Sequence, residues 1–290
     1  KYTAYVRTSD GCDNCCTYCT IPKIRGRFRS RKTEDIVAET RSLAARGVKE
    51  IVLIAQDTTM YGRDLYGEPK LAELLDELCK IDGIEWIRML YTYPDLITDE
   101  LLDTMARQEK VLNYLDIPLQ HCDGDILKRM NRKGDRRSLT ALMAHIREKL
   151  PDVTLRTTFI TGFPGETEEQ FTELCEFVHD VRFDRLGCFA YSAEDGTLAA
   201  AMPDQIDEQV KIRRSEVIMD AQLRITEEKN QEKMGQVLDV LVEGYDDYIK
   251  CLYGRTKADA PEIDAKIFFT PAERRAKPGD IVRVEVTDTI

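Results

Sequence analysis

The sequence has 290 residues, with 42 Lys and Arg against 53 Asp and Glu for a net charge of −11, a total that repels polyanions such as tRNA and attracts basic proteins. Its length predicts about two domains, and no apolar run approaches the ~18 residues of a membrane span. Nine cysteines, an odd number spread through the chain, argue against a disulfide framework and for a reducing cytoplasm. No signal-peptide pattern opens the chain, and the start Lys1-Tyr2-Thr3 without Met is that expected of a piece of a longer protein.

Residues 4–8 (AYVRT) alternate and carry aromatic and β-branched side chains, which predicts a short strand. It leads into Gly11-Cys12-Asp13-Asn14-Cys15-Cys16-Thr17-Tyr18-Cys19, where Cys12, Cys16 and Cys19 follow the spacing C-x3-C-x2-C. Thiolates are soft ligands, so two metals are open at this point. One is an iron–sulfur cluster, in which three thiolates leave one iron free to hold a small molecule. The other is zinc, with His121 or Cys15 as a fourth ligand. Cys15 is out of register and reads as a bystander.

Residues 23–32 contain six basic side chains and no acidic one, either a solvated loop or an anion-facing rim beside the cysteines. Thr33 is expected to cap a helix with Glu34 and Asp35 in its first turn, running to about Arg46 and stopping at Gly47. Strand and helix then alternate. The apolar run 50–55 suits a strand buried on both faces, and 71–79 is helical. Strands are predicted at 86–90, 114–117, 154–161 and 185–189, and helices at 98–108, 123–130, 137–149 and 168–181. Six βα units without antiparallel punctuation predict an α/β chain forming an open parallel barrel, whose chemistry sits at the C-terminal strand ends. Those ends carry Gln56-Asp57-Thr58-Thr59, Pro118-Leu119-Gln120-His121, and Thr161-Gly162-Phe163-Pro164-Gly165-Glu166-Thr167. Gly162 and Gly165 allow a tight turn, and Thr167 caps the following helix, leaving free N–H groups aimed at the site. A long charged helix at 204–233 leads to short alternating strands at 236–243, 248–252, 266–269 and 281–286. These read as a small antiparallel barrel with proportions of the oligonucleotide-binding type. Nine basic and eleven acidic residues from Lys233 onward point that barrel toward a basic protein rather than bare RNA, although Arg274, Arg275 and Lys277 form a local basic spot.

The cysteine loop, Ile21-Pro22 with Arg25-Gly26 and Arg29-Ser30-Arg31, Gln56-Asp57-Thr58-Thr59 with Tyr61-Gly62, residues 162–167 and the terminal barrel together resemble the radical S-adenosylmethionine (SAM) methylthiotransferases. The resemblance covers essentially the whole chain. Tyr91-Thr92-Tyr93-Pro94, residues 115–121 and Leu127-Lys128-Arg129-Met130 resemble the RimO branch, which methylthiolates the β-carbon of an aspartate in small-subunit ribosomal protein twelve. The tRNA-modifying MiaB type is the enzyme alternative, with an Asn-Val pair where Asp57-Thr58 stand here; a zinc-binding, RNA-associated module is the non-enzymatic one. The resemblance implies a radical SAM (β/α)6 domain over 1–230 and a TRAM domain over 231–290. It implies a [4Fe-4S] cluster on Cys12, Cys16 and Cys19, and a 5′-deoxyadenosyl radical from SAM. Tyr18, Gln56, Arg156, Gly162, Gly165 and Glu166 are the implied SAM contacts; Arg156 alternatively pairs with an acid of the protein. A second, sulfur-supplying cluster is expected in an N-terminal domain outside this chain. Ribosomal protein twelve, free or on the ribosome, and an electron donor such as flavodoxin or ferredoxin are the implied partners, with no membrane and a cytoplasmic location.

Overall fold

A computed structural model describes residues 2–270 and 276–289. The elements run β1 Thr3–Arg7, β2 Ser9–Asp10, α1 Ile21–Arg25, β3 Arg29–Ser30, α2 Thr33–Ala45, β4 Glu50–Ile54, α3 Arg63–Tyr66 and α4 Leu71–Cys79. They continue with β5 Trp86–Met89, α5 Asp99–Arg107, β6 Val111–Asp116, α6 Gly124–Arg129, α7 Arg136–Lys149, β7 Thr154–Thr161, α8 Glu168–Val181 and β8 Arg185–Ala190. The long helix α9 Glu208–Gln231 then leads to β9 Val237–Asp246, β10 Cys251–Thr256, β11 Ile267–Phe269 and β12 Ile281–Glu285.

Six strands pair in parallel in the order β1-β4-β5-β6-β7-β8, the open βα array that the alternation predicts. The period of two decides which side chains face the helices. Along β7, Leu155, Thr157, Phe159 and Thr161 are buried while Arg156, Thr158 and Ile160 are half-buried on the other face. Helix α8 answers with a stripe at helical spacing, Leu174, Phe177, Val178 and Val181. Phe177 meets Phe159 edge-on at 6.2 Å and lies tilted against Phe183 at 6.0 Å. Full burial of each such side chain contributes about 1.5–3 kcal/mol.

The C-terminal strands form a separate antiparallel sheet in the order β11-β10-β9-β12. Among the described residues it is an open four-stranded sheet rather than a closed barrel; Arg274 and Arg275 lie outside the described residues. The strand expected at 248–252 lies later, at Cys251–Thr256, because Asp246 Oδ1 accepts the amides of Tyr248 and Ile249 and turns the chain there. Thr33 also departs from expectation. It is the first helical residue, with no side-chain cap from Lys32 before it, and its hydroxyl is engaged by the Tyr61 hydroxyl at 3.1 Å. The basic stretch is not a plain loop. It folds into α1 and β3, and β3 pairs with β2.

The C-terminal sheet covers the strand-start half of the barrel's inner face. Val52, Trp86, Leu90, Leu112 and Tyr114 pack there against Leu241 and Ala260. Glu50 is fully buried between two buried arginines. Arg88 Nε donates to its Oε1 at 3.0 Å, Arg255 Nη2 donates to its Oε2 at 2.6 Å, and the Thr3 hydroxyl donates to Oε2 at 3.1 Å. Burial alone would push the Glu50 carboxyl up, but Arg88 and Arg255 outweigh it and hold it below its ordinary value. Removing one partner of a buried pair leaves uncompensated charge. Glu50→Gln is therefore expected to cost about 3–5 kcal/mol of unfolding free energy in urea at neutral pH. The carboxylate's contribution is complete above the ordinary value of 4.5 and is lost as pH falls through the lower folded value, so wild type and variant should converge in acid. A variant as stable as wild type at neutral pH would show that this pair does not fasten the two sheets.

Candidate functional site

The cysteine loop joins β2 to α1 at the C-terminal end of the parallel sheet, and backbone geometry fixes it. Gly11 has φ 76°, and a Cβ there would lie 2.1 Å from the Arg27 carbonyl oxygen, so only glycine fits. The Cys12 amide donates to Gly26 O at 3.2 Å. The chain after α6 clamps the far side. The Thr17 amide donates to Met130 O at 3.1 Å, the Thr17 hydroxyl to Arg129 O at 2.8 Å, and Asn131 Nδ2 to Cys15 O at 3.0 Å. From the end of β4, Asp57 Oδ2 accepts Asn14 Nδ2 at 2.8 Å while its Oδ1 accepts the Thr59 hydroxyl at 2.5 Å. Burial raises the Asp57 carboxyl, and the bonds from Thr59 and Asn14 oppose that rise.

All nine cysteines are free thiols. Cys12, Cys16 and Cys19 are half-buried, whereas Cys15 is exposed with φ 50°. The Asn14 amide points at Cys12 Sγ from 3.5 Å, and Arg132 Nη1 lies 3.9 Å from Cys16 Sγ. Burial pushes the Cys12 thiol up to about 11 and raises that of Cys19, which favours neutral thiols until a metal takes the proton's place. Among the described residues no three Cys, His, Asp or Glu side chains already converge at ligating distance. The donor set itself, three thiols on one clamped loop with N–H donors aimed at two of the sulfurs, suits an iron–sulfur cluster. His121 is engaged elsewhere. It is fully buried, its Nδ1 accepts the Asp123 amide at 3.0 Å, and its Nε2 faces Glu166 Oε2 at 3.9 Å. Burial, with Arg214 nearby, lowers its pKa to about 3 and holds the ring neutral.

The turn after β7 comes to the same place. Tyr18 meets Phe163 edge-on at 6.3 Å, and Phe163 meets Tyr191 at 5.3 Å, so an aromatic row links the cysteine loop to the turn. Burial raises the Tyr18 hydroxyl's pKa, which keeps it protonated. Gly162 has φ 70°, and its Cβ would lie 2.2 Å from Lys211 Cγ and 3.0 Å from Lys211 Cα. Gly165 is packed as closely against Arg129.

The amides of this turn are not free. Glu166 is buried beneath it, its Oε2 accepting Gly162 N at 2.6 Å and Phe163 N at 3.3 Å while Oε1 accepts Arg214 Nη1 at 3.0 Å. Gly165 N donates to Asp204 O and Thr167 N to Gln170 Oε1, the latter within the capping box of α8. The turn therefore offers shape and carbonyl oxygens, contrary to the expected cradle of N–H groups. Burial pushes the Glu166 carboxyl up to about 7 against the pull of Arg214. Gln56, at the end of β4, has a buried Oε1 without a hydrogen-bond partner, an acceptor that suits a ligand N–H. Arg156 lies lower on the inner face, its Nε 3.3 Å from Asp116 Oδ1 and its Nη1 3.3 Å from Asp264 Oδ1. Sequence reasoning missed Asn131 and Arg132, which touch the loop; their only local signal is their place just after the Leu127-Lys128-Arg129-Met130 run.

A six-stranded βα array with a three-thiol loop at its C-terminal edge defines a class. The chain matches the Radical SAM superfamily over residues 6–178 and a TRAM domain over residues 234–290. It belongs to the radical SAM superfamily, whose members use a [4Fe-4S] cluster and SAM. The ribosomal protein uS12 methylthiotransferase RimO of Clostridium botulinum (strain Langeland) is 50% identical over 289 residues, spanning 100% of this chain and 64% of that protein. Those of Geobacter sulfurreducens (50%, 99% of this chain and 64% of the relative) and Pelotomaculum thermopropionicum (51%, 98% and 64%) are similarly close. The chain thus spans less than two thirds of the length of these curated relatives. Among solved structures, TsrM from Kitasatospora setae, a radical SAM methyltransferase, aligns with TM-score 0.57 at 17% identity, over 68% of this chain and 38% of TsrM. Coproporphyrinogen III oxidase HemN from Escherichia coli aligns with TM-score 0.55 at 18% identity, over 79% of this chain and 53% of HemN. At these identities the likeness concerns the fold. The matches favour neither the tRNA-modifying nor the zinc-module alternative. No helix among the described residues is long and apolar enough to cross a membrane.

Gly162→Ala is expected to lose about 1–3 kcal/mol of stability through its strained φ and, by displacing the turn from Tyr18, to weaken SAM binding at least about tenfold. Thermal melts and equilibrium dialysis with SAM measure both; wild-type affinity in a folded variant would show that the turn does not line a SAM site.

Proposed function

We propose that this chain is the radical-generating and substrate-docking part of a methylthiotransferase acting on the β-carbon of an aspartate in ribosomal protein uS12. The observation that carries this reading is the 50% identity to uS12 methylthiotransferases over essentially the whole chain. Cys12, Cys16 and Cys19 hold one [4Fe-4S] cluster, and Cys15 holds none of it. When bound, the cluster and SAM supply a carbon radical able to take hydrogen from an unactivated C–H bond. Tyr18 presents its ring beside the Gly162–Gly165 turn, where the adenine would lie, and Gln56 offers its unpartnered Oε1 to a ligand N–H. Arg156 keeps Nη2 free of protein partners among the described residues, a donor for a ligand carboxylate, while Glu166 holds the turn from beneath. The row of Tyr18, Phe163 and Tyr191 keeps water from that side of the site. A one-electron donor of the flavodoxin or ferredoxin type supplies the electron, and the sulfur-supplying cluster lies outside these 290 residues. The reaction takes place in the cytoplasm, on uS12 free or in the ribosome.

Anaerobic reconstitution with iron and sulfide tests the reading. The chain should bind about four irons, lose them in Cys12→Ala, Cys16→Ala and Cys19→Ala, and keep them in Cys15→Ala. With dithionite it should cleave SAM to 5′-deoxyadenosine without methylthiolating uS12. Full iron in Cys16→Ala would overturn the ligand set, and methylthiolated uS12 from this chain alone would overturn the location of the sulfur source.

A further inference from the structure

Four arginines of the described chain are buried: Arg88, Arg132, Arg214 and Arg255. Three have carboxylates. Arg88 and Arg255 share Glu50, and Arg214 holds Glu166 and Glu168. Arg132 pairs with no carboxylate among the described residues. Its Nη2 donates to Pro118 O at 2.6 Å, its guanidinium carbon lies 4.3 Å over the Tyr93 ring, and its Nη1 points at Cys16 Sγ from 3.9 Å. An arginine cannot neutralise itself by losing its proton, so a buried guanidinium without a counter-charge is costly. Carbonyl and ring dipoles offset only part of that cost.

The guanidinium is also held still. Tyr93, which supports it, has its amide bonded to the Thr59 hydroxyl at 3.1 Å; Thr59 bonds Asp57, and Asp57 bonds Asn14 of the cysteine loop. The ring of contacts closes on the loop itself. A fixed, buried, uncompensated cation with one N–H aimed at a cysteine sulfur is what an anionic group at that sulfur would need. The three-thiolate cluster proposed above is anionic, and accepting one electron makes it more so without forming or breaking a bond. Net charge, burial and hydrogen bonds to sulfur are the levers that set a cluster's potential.

We propose that Arg132 is a positioning residue for the cluster's charge: its guanidinium donates toward the Cys16 sulfur and raises the cluster's reduction potential, easing entry of the electron that SAM cleavage requires. This rests on the cluster assignment above, but not on what the enzyme modifies.

The test is a potentiometric titration, followed by the reduced cluster's paramagnetic signal, of the reconstituted 290-residue chain and its Arg132→Gln, Arg132→Met and Arg132→Lys variants. At the wild-type midpoint the two neutral variants should show a reduced-to-oxidised ratio lower by about tenfold, about 59 mV for one electron. Arg132→Lys should recover most of that loss. Neutral variants with full iron and an unchanged midpoint would overturn the proposal, leaving Arg132 as packing for the Pro118 carbonyl and the Tyr93 ring. Iron lost from both neutral variants but kept by Arg132→Lys would support it, since only charge separates them in common. Iron lost from all three would overturn it in favour of a shape requirement. A wild-type chain that takes up no iron would defeat the cluster assignment and this inference together, whereas failure to modify uS12 would leave the midpoint result standing.

Discussion

Glu50, closed between Arg88 and Arg255, is the interaction on which the architecture depends. A six-stranded open barrel has an inner face that must be filled without blocking the strand ends where chemistry occurs. The chain fills the strand-start half with its own C-terminal sheet, and the filling is polar at its centre. Arg88 also donates to Lys257 O, Tyr114 donates to Asp264 Oδ2 at 2.6 Å, and Arg185 reaches Asp259 at 2.6 Å. Arg255 with Glu50, Lys257 O with Arg88, Asp264 with Tyr114 and Asp259 with Arg185 all cross from the C-terminal segment to the parallel sheet, so the docking has one register. An apolar plug of equal area would tolerate sliding; a network of directional bonds does not.

The seal extends toward the site. Asp264 pairs with Arg156, Arg156 with Asp116, and Asp116 Oδ2 accepts the Tyr91 amide at 3.0 Å. Tyr91 is held at φ 59°, a conformation uncommon outside glycine, and its carbonyl accepts the Thr58 amide at 2.9 Å. Strain of this kind persists where surrounding bonds over-determine the backbone. The segment that carries Tyr91 to Tyr93 is therefore placed from below by the seal and from the side by Asp57 and Thr59. It then delivers the Tyr93 ring to Arg132 beside Cys16.

Much of this was legible in the sequence, for physical reasons. Helices α4 and α8 and strand β7 coincide with their predicted spans because their apolar period is clear, and at α8 the Thr167–Gln170 capping box reinforces it. Cysteine spacing was legible because ligands of one loop are close in sequence. What stayed hidden depends on partners far along the chain. Arg132 looks like one basic residue in a basic run until Cys16, more than a hundred positions earlier, lies against it. Glu166 looked available to a ligand because nothing local reveals that Arg214 and two turn amides draw it under the turn. Thr33 looked like a cap because local chemistry allows it, but its hydroxyl goes to Tyr61.

Buried polar groups in folded chains mostly find partners; here the unpaired ones fall both in the scaffold, at Thr40 Oγ1 and Arg88 Nη2, and at the open strand ends. Beneath the turn, Glu166 accepts Arg214 Nη1 and the Gly162 and Phe163 amides, while Arg214 Nε and His121 Nε2 stay unpaired. Gln56 and Gln120, which follow β4 and β6, each bury an Oε1 with no partner, and Gln120 sits at φ 71°. Arg132 keeps a charge without a counter-charge at the same end. The two free acceptors and the cation do not satisfy one another: Gln56 and Gln120 keep unpartnered oxygens, while Arg132, after α6, is held to the Pro118 carbonyl and the Tyr93 ring. A bound group that carried N–H donors and negative charge together would meet both needs at once.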